Sequence, residues 1–142
     1  MGALLERLAK NKLLVSDGAW GTLLQAKGLQ PGECPEEWNV SHPKEVQSVA
    51  AAYEKVGADI VLSDTFGGSK PKLKKYGFEN RVAEFNEAGA RNSLAGAPKC
   101  IVAASIGPTG EFLDPVGDMT EAEMIAAYEE QLRAIHKGGV RA

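Results

Sequence analysis

Three short stretches hold the residues able to do chemistry: SDGA at 16–19, SDTFGG at 63–68 and SIGPTG at 105–110. Each joins a hydroxyl or carboxyl to glycine, and each closes a compact apolar run. In the first, Asp17 stands on a glycine turn ahead of a helix-prone segment. Asp-Gly is a common tight-turn dipeptide, so the carboxylate is either a turn former or a group waiting for a positive charge. In the second, Asp64 has the type of an acid–base residue, but no histidine lies near it in sequence. In the third, Gly107-Pro108-Thr109-Gly110 has the composition of a phosphate cradle, yet neither a lysine nor a helix start follows directly, so it reads as a turn. Cys34 and Cys100 belong to no C-x-x-C pair and show no metal-ligand spacing with histidine. Cys100 opens an apolar run and reads as a small buried hydrophobe, and Cys34 lies in a loop.

Regular elements must position these turns. Residues 3–10 read as a short helix, and Leu13-Leu14-Val15-Ser16 as a buried strand stopped by Asp17-Gly18. Residues 20–27 read as a helix ended by Gly28, and 29–39, with its prolines and glycine, as a loop. Val46, Val49, Ala50, Tyr53 and Val56 follow helical spacing after Pro43, with Ser41 as N-cap and His42 at the helix start. A second strand spans 60–63, a helix 79–94 buries Val82, Phe85 and Gly89, and a third strand spans 100–105. The last helix, 120–137, carries Met124, Ala127, Tyr128, Leu132 and Ile135, with His136 as a cation near its C-terminus. Gly138-Gly139 ends it, and Val140 begins another strand.

Strands apolar on both faces, alternating with helices, imply an α/β fold with a parallel sheet. The repeat of about 40–45 residues suits the (βα) unit of a TIM-type (βα)8 barrel. All three unusual stretches directly follow strands, where barrels and doubly wound sheets both gather function. DGAWGT supplies no G-x-G-x-x-G, which disfavours a dinucleotide fold. A whole barrel needs about 250 residues. The 142 residues hold three units and the start of a fourth, so 1–142 is expected to be the N-terminal half of one barrel domain.

A formal net charge of −3 argues against nucleic acid or an anionic membrane as partner. The basic run Lys70-Pro71-Lys72-Leu73-Lys74-Lys75 has no aromatic interleaving and reads as a solvated helix face. No apolar stretch approaches the roughly 20 residues that span a bilayer. The N-terminal segment, interrupted by charges, has no signal-peptide apolar region, and a cytoplasmic location is expected.

SDGAWGTLLQ, GECPEEWN, GADIVLSDTFGG, LKKYGFENRVAEFNEA, SIGPTGEFL and GDMTEAEMIAAYEEQ, in this order and spacing, resemble the homocysteine S-methyltransferase family. The resemblance covers about residues 12–140. It implies a barrel whose strand C-terminal face binds homocysteine and moves a methyl group onto its sulfur. It further implies a zinc ion held by three cysteine thiolates, which keeps the substrate thiol deprotonated yet nucleophilic. The family's methyl donor is variously a methyl-corrinoid, betaine or S-methylmethionine; the resemblance leaves the choice open, with cobalamin or a methylfolate among the sources. Carried over by position, Asp17 matches the acidic residue that contacts the substrate's amino group. Gly18 and Ala19 bring the backbone close to the ligand, and Thr65 and Ser105 match pocket-lining positions. Trp20 replaces the methionine usual in this motif and either fills core or narrows the pocket. Asp64 stands where many relatives carry asparagine.

One departure is large. The family's zinc cysteines lie in the second half of the barrel, and Cys34 and Cys100 do not match them. The resemblance thus assigns zinc binding and turnover to residues beyond these 142, with homocysteine or a related thiol as substrate. Two alternatives stand beside it: a non-catalytic half-barrel assembling with a second copy or a separate chain, and a methyltransferase linked to a corrinoid protein and acting on another thiol.

Overall fold

The computed structural model describes residues 3–11 and 13–142. Nine regular elements beyond single bridges and turns are defined among them. These are α1 (Ala3–Asn11), α2 (Gly21–Ala26), α3 (Trp38–Ser41), α4 (Pro43–Lys55), β1 (Ile60–Leu62), α5 (Lys70–Lys74), α6 (Val82–Gly96), β2 (Ile101–Ala103) and α7 (Glu121–Gly138).

The sheet is parallel. Ile60 pairs with Ile101, Val61 with Val102 and Leu62 with Ala103. Ser16 bridges Ile60 in parallel on one side, and Ala104 N donates to Ala142 O on the other. Four chain segments therefore run side by side in the order of the sequence, with helices in the connections, as α/β units require. Val61 and Val102 point to the helices and are buried, whereas Ile60, Leu62, Ile101 and Ala103 face the other way and are half-buried. Val102 packs with Ala90, Ile135 and Val140, and Val61 with Ala50 and Ala97. Val140 and Ala142 thus follow the path expected for a further strand.

The helices have local causes. Thr120 caps α7: its Oγ1 accepts from Glu123 N at 3.3 Å, and Glu123 Oε2 accepts from Thr120 N at 2.8 Å. This reciprocal arrangement satisfies two amides that no helical carbonyl reaches. Gly139, at φ 111°, ends the same helix in the left-handed region that favours glycine. No helix of the described residues is long and apolar enough to cross a membrane.

Several expectations need correction. Leu13–Ser16 makes only the Ser16 bridge, and Leu13 and Val15 are 75% and 55% exposed. Strand neighbours on one side alone leave their outer faces uncovered. The stretch 29–39 is not all loop, since a 3-10 turn at Pro35–Glu37 runs into α3. Ser41 does not cap α4; it ends α3, its hydroxyl donates to Glu37 Oε2 at 2.7 Å, and His42 takes the cap position. Val56 falls past the end of α4 and is exposed. Leu132 is exposed too, and Gln131 occupies the buried stripe of α7 in its place. The lysine run is α5, whose Leu73 is buried while Lys70 and Lys74 face outward.

Candidate active site at the strand C-termini

Asp17 leaves the sheet at the level of β1. Its N donates to Ile60 O at 2.9 Å, continuing the parallel ladder by one residue. Its Oδ2 accepts from Leu62 N at 2.8 Å and from Trp20 Nε1 at 2.8 Å, and Oδ1 accepts from Ser16 Oγ at 3.0 Å. Three neutral donors therefore aim a half-buried carboxylate, and among the described residues no lysine or arginine forms an ion pair with it. A fixed negative charge with its hydrogen-bond geometry preset and no internal counter-ion is suited to an external cation. Ala19 O accepts from Tyr53 OH at 2.8 Å, and a Cβ on Gly18 would lie 3.1 Å from the same hydroxyl. The Gly18–Ala19 turn is thus clamped onto α4 from behind.

Thr65 and Ser105 are brought together directly. Thr65 Oγ1 donates to Ser105 O at 2.8 Å, Ser105 N donates to Ser63 Oγ at 3.1 Å, and the Ser63 and Thr65 hydroxyls are 2.7 Å apart. Thr65 is fully buried, so its hydroxyl ties the turn after β1 to the turn after β2. Asp17 contacts neither; it is joined to them through Leu62 and the strand. All three still follow the C-terminal ends of parallel neighbours and stand on one rim of the sheet.

The turn after β1 is held from below by side-chain amides. Asn39 Nδ2 donates to Asp64 O at 2.7 Å, Gln131 Nε2 to Thr65 O at 2.6 Å, and Asn86 Nδ2 to Gly68 O at 2.8 Å. Asn92 Nδ2 in turn donates to Asn39 O at 2.8 Å. Asn39, Asn86 and Gln131 are 2%, 0% and 0% exposed, and each supplies a donor to a carbonyl that no strand partner reaches. Close approach makes this possible: a Cβ on Gly89 would lie 2.6 Å from Asn39 Nδ2 and 2.7 Å from Asp64 O.

Beside the amides lie acids. Glu36 Oε1 accepts from Gly67 N at 2.6 Å, and Cys34 Sγ donates to Glu36 Oε2 at 3.4 Å. Burial, then the Glu36 charge, pushes the Cys34 thiol up to about 12. Burial, then Glu36 again, holds the Asp64 carboxyl well above the usual carboxylate range. Cys100, half-buried, donates its Sγ–H to Ala58 O at 3.1 Å and is raised mainly by burial. Both thiols donate to protein acceptors. Among the described residues no group of three histidine, cysteine, aspartate or glutamate side chains is placed to hold a metal ion.

Five residues read from sequence as substrate contacts (Asp17, Gly18, Ala19, Thr65 and Ser105) thus fall on one rim, with the side chain of Thr65 turned into the fold. The sequence reading missed Trp20 as a donor to Asp17, Tyr53 as the clamp on Ala19, and the amides beneath the turn. Two signals were available. Gln131 sits between Ala127 and Ile135 on an otherwise apolar stripe, and Asn86 lies one turn after Val82. Polar residues at buried positions of a helix need partners, and the nearest candidates are the turns under which the helix runs. A cavity of about 760 Å³ between α5 and α7, lined by Lys70, Lys74, Glu111 and Glu123 among others, contains none of the five.

Comparison with known proteins gives the family and the fold. The sequence profile of the family described as homocysteine S-methyltransferase matches residues 14–142. The chain is 30% identical over 144 residues to the methionine synthase of Mycobacterium tuberculosis (strain ATCC 25618 / H37Rv), covering 92% of this chain and 12% of that protein. To the methionine synthase of Mycobacterium leprae (strain TN) it is 29% identical over 152 residues, covering 98% and 12%. In fold it resembles the crystal structure of the homocysteine methyltransferase MmuM from Escherichia coli in its oxidized form, with a TM-score of 0.79 at 20% identity over 99% of this chain and 55% of that one. The metallated form of the same enzyme gives 0.78 at 21% identity. The chain therefore spans about an eighth of the methionine synthases and about half of MmuM.

Proposed function

The chain belongs to the homocysteine S-methyltransferase family, and from that premise we propose that it forms the amino-acid-binding part of an enzyme that methylates the sulfur of homocysteine. The observation that carries this reading is Asp17, a carboxylate fixed on the strand rim by three neutral donors and free of any protein cation among the described residues. It receives the α-ammonium of the substrate through a charge-assisted hydrogen bond. Gly18 and Ala19 let the backbone approach the ligand, and Ser105, tied to Thr65, lines the neighbouring wall. With the amino group anchored, the thiol points along the rim. Its sulfur attacks the methyl carbon of the donor: the S–C bond forms, the bond to the donor breaks, and the electron pair leaves with the donor while the thiol proton is lost.

The parallel units are the first half of a (βα)8 barrel in this reading, completed by residues outside these 142. The half-buried face of Ile60, Leu62, Ile101 and Ala103 supports a covering by further strands. Zinc, which the resemblance implies, finds no fitting donor set among the described residues: no three histidine, cysteine, aspartate or glutamate side chains are grouped to hold it, and Cys34 and Cys100 donate instead to Glu36 and to Ala58 O. Its ligands are assigned outside these residues, and no step is routed through it. Cobalamin or a methylfolate, with a corrinoid protein as partner, supplies the methyl group in the form nearest the methionine synthases. The test is incubation of the full-length protein with homocysteine and, separately, a methyl-corrinoid, a methylfolate, betaine or S-methylmethionine, with methionine detected by mass spectrometry. Methionine formed from one donor is expected; none formed from any of them overturns the reading.

A further inference from the structure

Two acids, Glu36 and Asp64, are buried together beneath the turn after β1, and the proposed chemistry uses neither. They are 4% and 5% exposed. Glu36 has donors, since Gly67 N reaches Oε1 at 2.6 Å and the Cys34 thiol reaches Oε2 at 3.4 Å. Asp64 is less well provided, because its Oδ2 is enclosed and has no hydrogen-bond partner. Among the described residues neither acid forms an ion pair. Glu36 has Cys34, on the segment before the 3-10 turn, as a direct neighbour; Tyr76, after α5, feels its charge; and the neutral amides Asn39 of α3, Asn86 of α6 and Gln131 of α7 hold the main chain of the turn. Tyr76 is raised by burial, then by Cys34 and Glu36, so it brings no positive charge. Arg81, before α6, is engaged by Glu84 at 2.7 Å and lies over the Phe85 ring.

We infer that Asp64 is held as a neutral acid beneath the turn after β1, and that this proton is needed for the turn to keep its rim-forming shape. The assignment follows from unequal solvation. A buried carboxylate without a cation is expensive, and two such charges side by side are more so. Asp64, whose enclosed oxygen has no donor to offset a charge, keeps the proton. Glu36 is also wedged against the turn, for a Cβ on Gly67 would lie 2.8 Å from its Oε1. Ionising Asp64 therefore places a buried charge with no donor on its Oδ2 in a segment wedged by Glu36. The amide contacts to residues 64, 65 and 68 and the Thr65–Ser105 bond are the ones that yield.

The sign is fixed. A carboxyl raised in the folded state takes up a proton on folding at every pH between its unfolded value, about 3.9, and its folded one. Stability at Asp64 is full below the unfolded value and is lost as pH rises to the folded value. Over that window the unfolding constant grows by up to about tenfold per pH unit. Asp64→Asn keeps the shape of the neutral acid and has no proton to lose. The experiment is urea unfolding of the wild-type protein and D64N at half-unit steps from pH 4.5 to 8. The ratio of wild-type to D64N unfolding constants is expected to climb by about tenfold per unit and then level off where native Asp64 ionises. A ratio constant across the range overturns the inference. A second readout is infrared difference spectroscopy of the wild-type protein at neutral pH, which is expected to show the carbonyl stretch of a protonated carboxyl that D64N lacks. Its absence from the wild type is equally fatal. Neither measurement involves homocysteine or methyl transfer, so the outcome is independent of the proposed function.

Discussion

Replacing Asp17 by asparagine isolates the charge that the proposed function depends on. The substitution is unusually clean because of how the side chain is held. Leu62 N and Trp20 Nε1 both donate to the same oxygen, Oδ2, at 2.8 Å, and the amide oxygen of asparagine serves them equally. The amide nitrogen then replaces Oδ1, whose partner Ser16 Oγ is a hydroxyl and turns from donor to acceptor. Position and orientation are kept, and the negative charge at the rim is lost. A hydrogen bond to a charged group contributes about 1.5–3 kcal/mol, and about 1.4 kcal/mol is tenfold in affinity, so the loss lies between about 10- and 150-fold. Asp17 is only half-buried, which favours the lower end. Calorimetric titration of the full-length protein measures it, with homocysteine and with the analogue whose amino group is replaced by hydrogen. Homocysteine is expected to bind D17N about 10–50 times more weakly than wild type, while the deaminated analogue binds both alike. Equal losses for the two ligands, or no loss for homocysteine, would refute the ammonium contact. Asp17→Ala is a poorer probe, since it also strips two half-buried donors, Leu62 N and Trp20 Nε1, of their acceptor.

Other outcomes follow from the same contacts. Asn86→Ala removes the donor to Gly68 O and the acceptor for Gln131 Nε2, 3.2 Å away, and should destabilise the fold by about 2–4 kcal/mol in chemical denaturation. Gly89→Ala drives a methyl group into Asp64 O and Asn39 Nδ2 and should cost about 2 kcal/mol or more, read as a lowered melting temperature. Thr120→Ala opens the capping box of α7 and should cost about 1 kcal/mol by the same assay. Cys34, with its thiol at about 12, should resist alkylation at pH 8 in the folded protein and react fully once urea unfolds it, as counted by mass after iodoacetamide.

What was legible from sequence was what repeats along a helix or stops at a strand end. The stripe Val46, Val49, Ala50 is buried as its spacing demands, and Gly139 ends α7 because only a residue at ease with φ 111° can. The apolar runs at 60–63 and 100–105 became parallel neighbours, and the glycine-rich turns fell where such runs end. The failures have separate causes. Leu13 and Val15 have the composition of buried strand residues, but burial depends on what covers the outer face, which no local pattern encodes. Ser41 has the composition of a cap, but Glu37 one turn earlier offers its hydroxyl a closer acceptor. Val56 continued a spacing that the helix itself did not.

The site was legible in a different way. Its charged centre could be named because aspartate on glycine after an apolar run is a local pattern. Its support could not, because three helices far apart in sequence share it. Asn39 of α3, Asn86 of α6 and Gln131 of α7 each donate to a carbonyl between residues 64 and 68. Once β1 ends at Leu62, the chain after it bends away from the ladder, and its carbonyls face helices rather than a neighbouring strand. Thr65 O also accepts from Gly68 N at 3.0 Å, but a buried carbonyl left unpaired costs about 1–3 kcal/mol. The helices must therefore bring donors, and an uncharged amide is the side chain that donates at depth without a counter-ion. A turn held this way is rigid for a reason that lies 25 to 66 residues away in the chain. The same reasoning explains why the acid at position 64 is tolerated: the amides have already satisfied the backbone, and its carboxyl needs only to keep its proton.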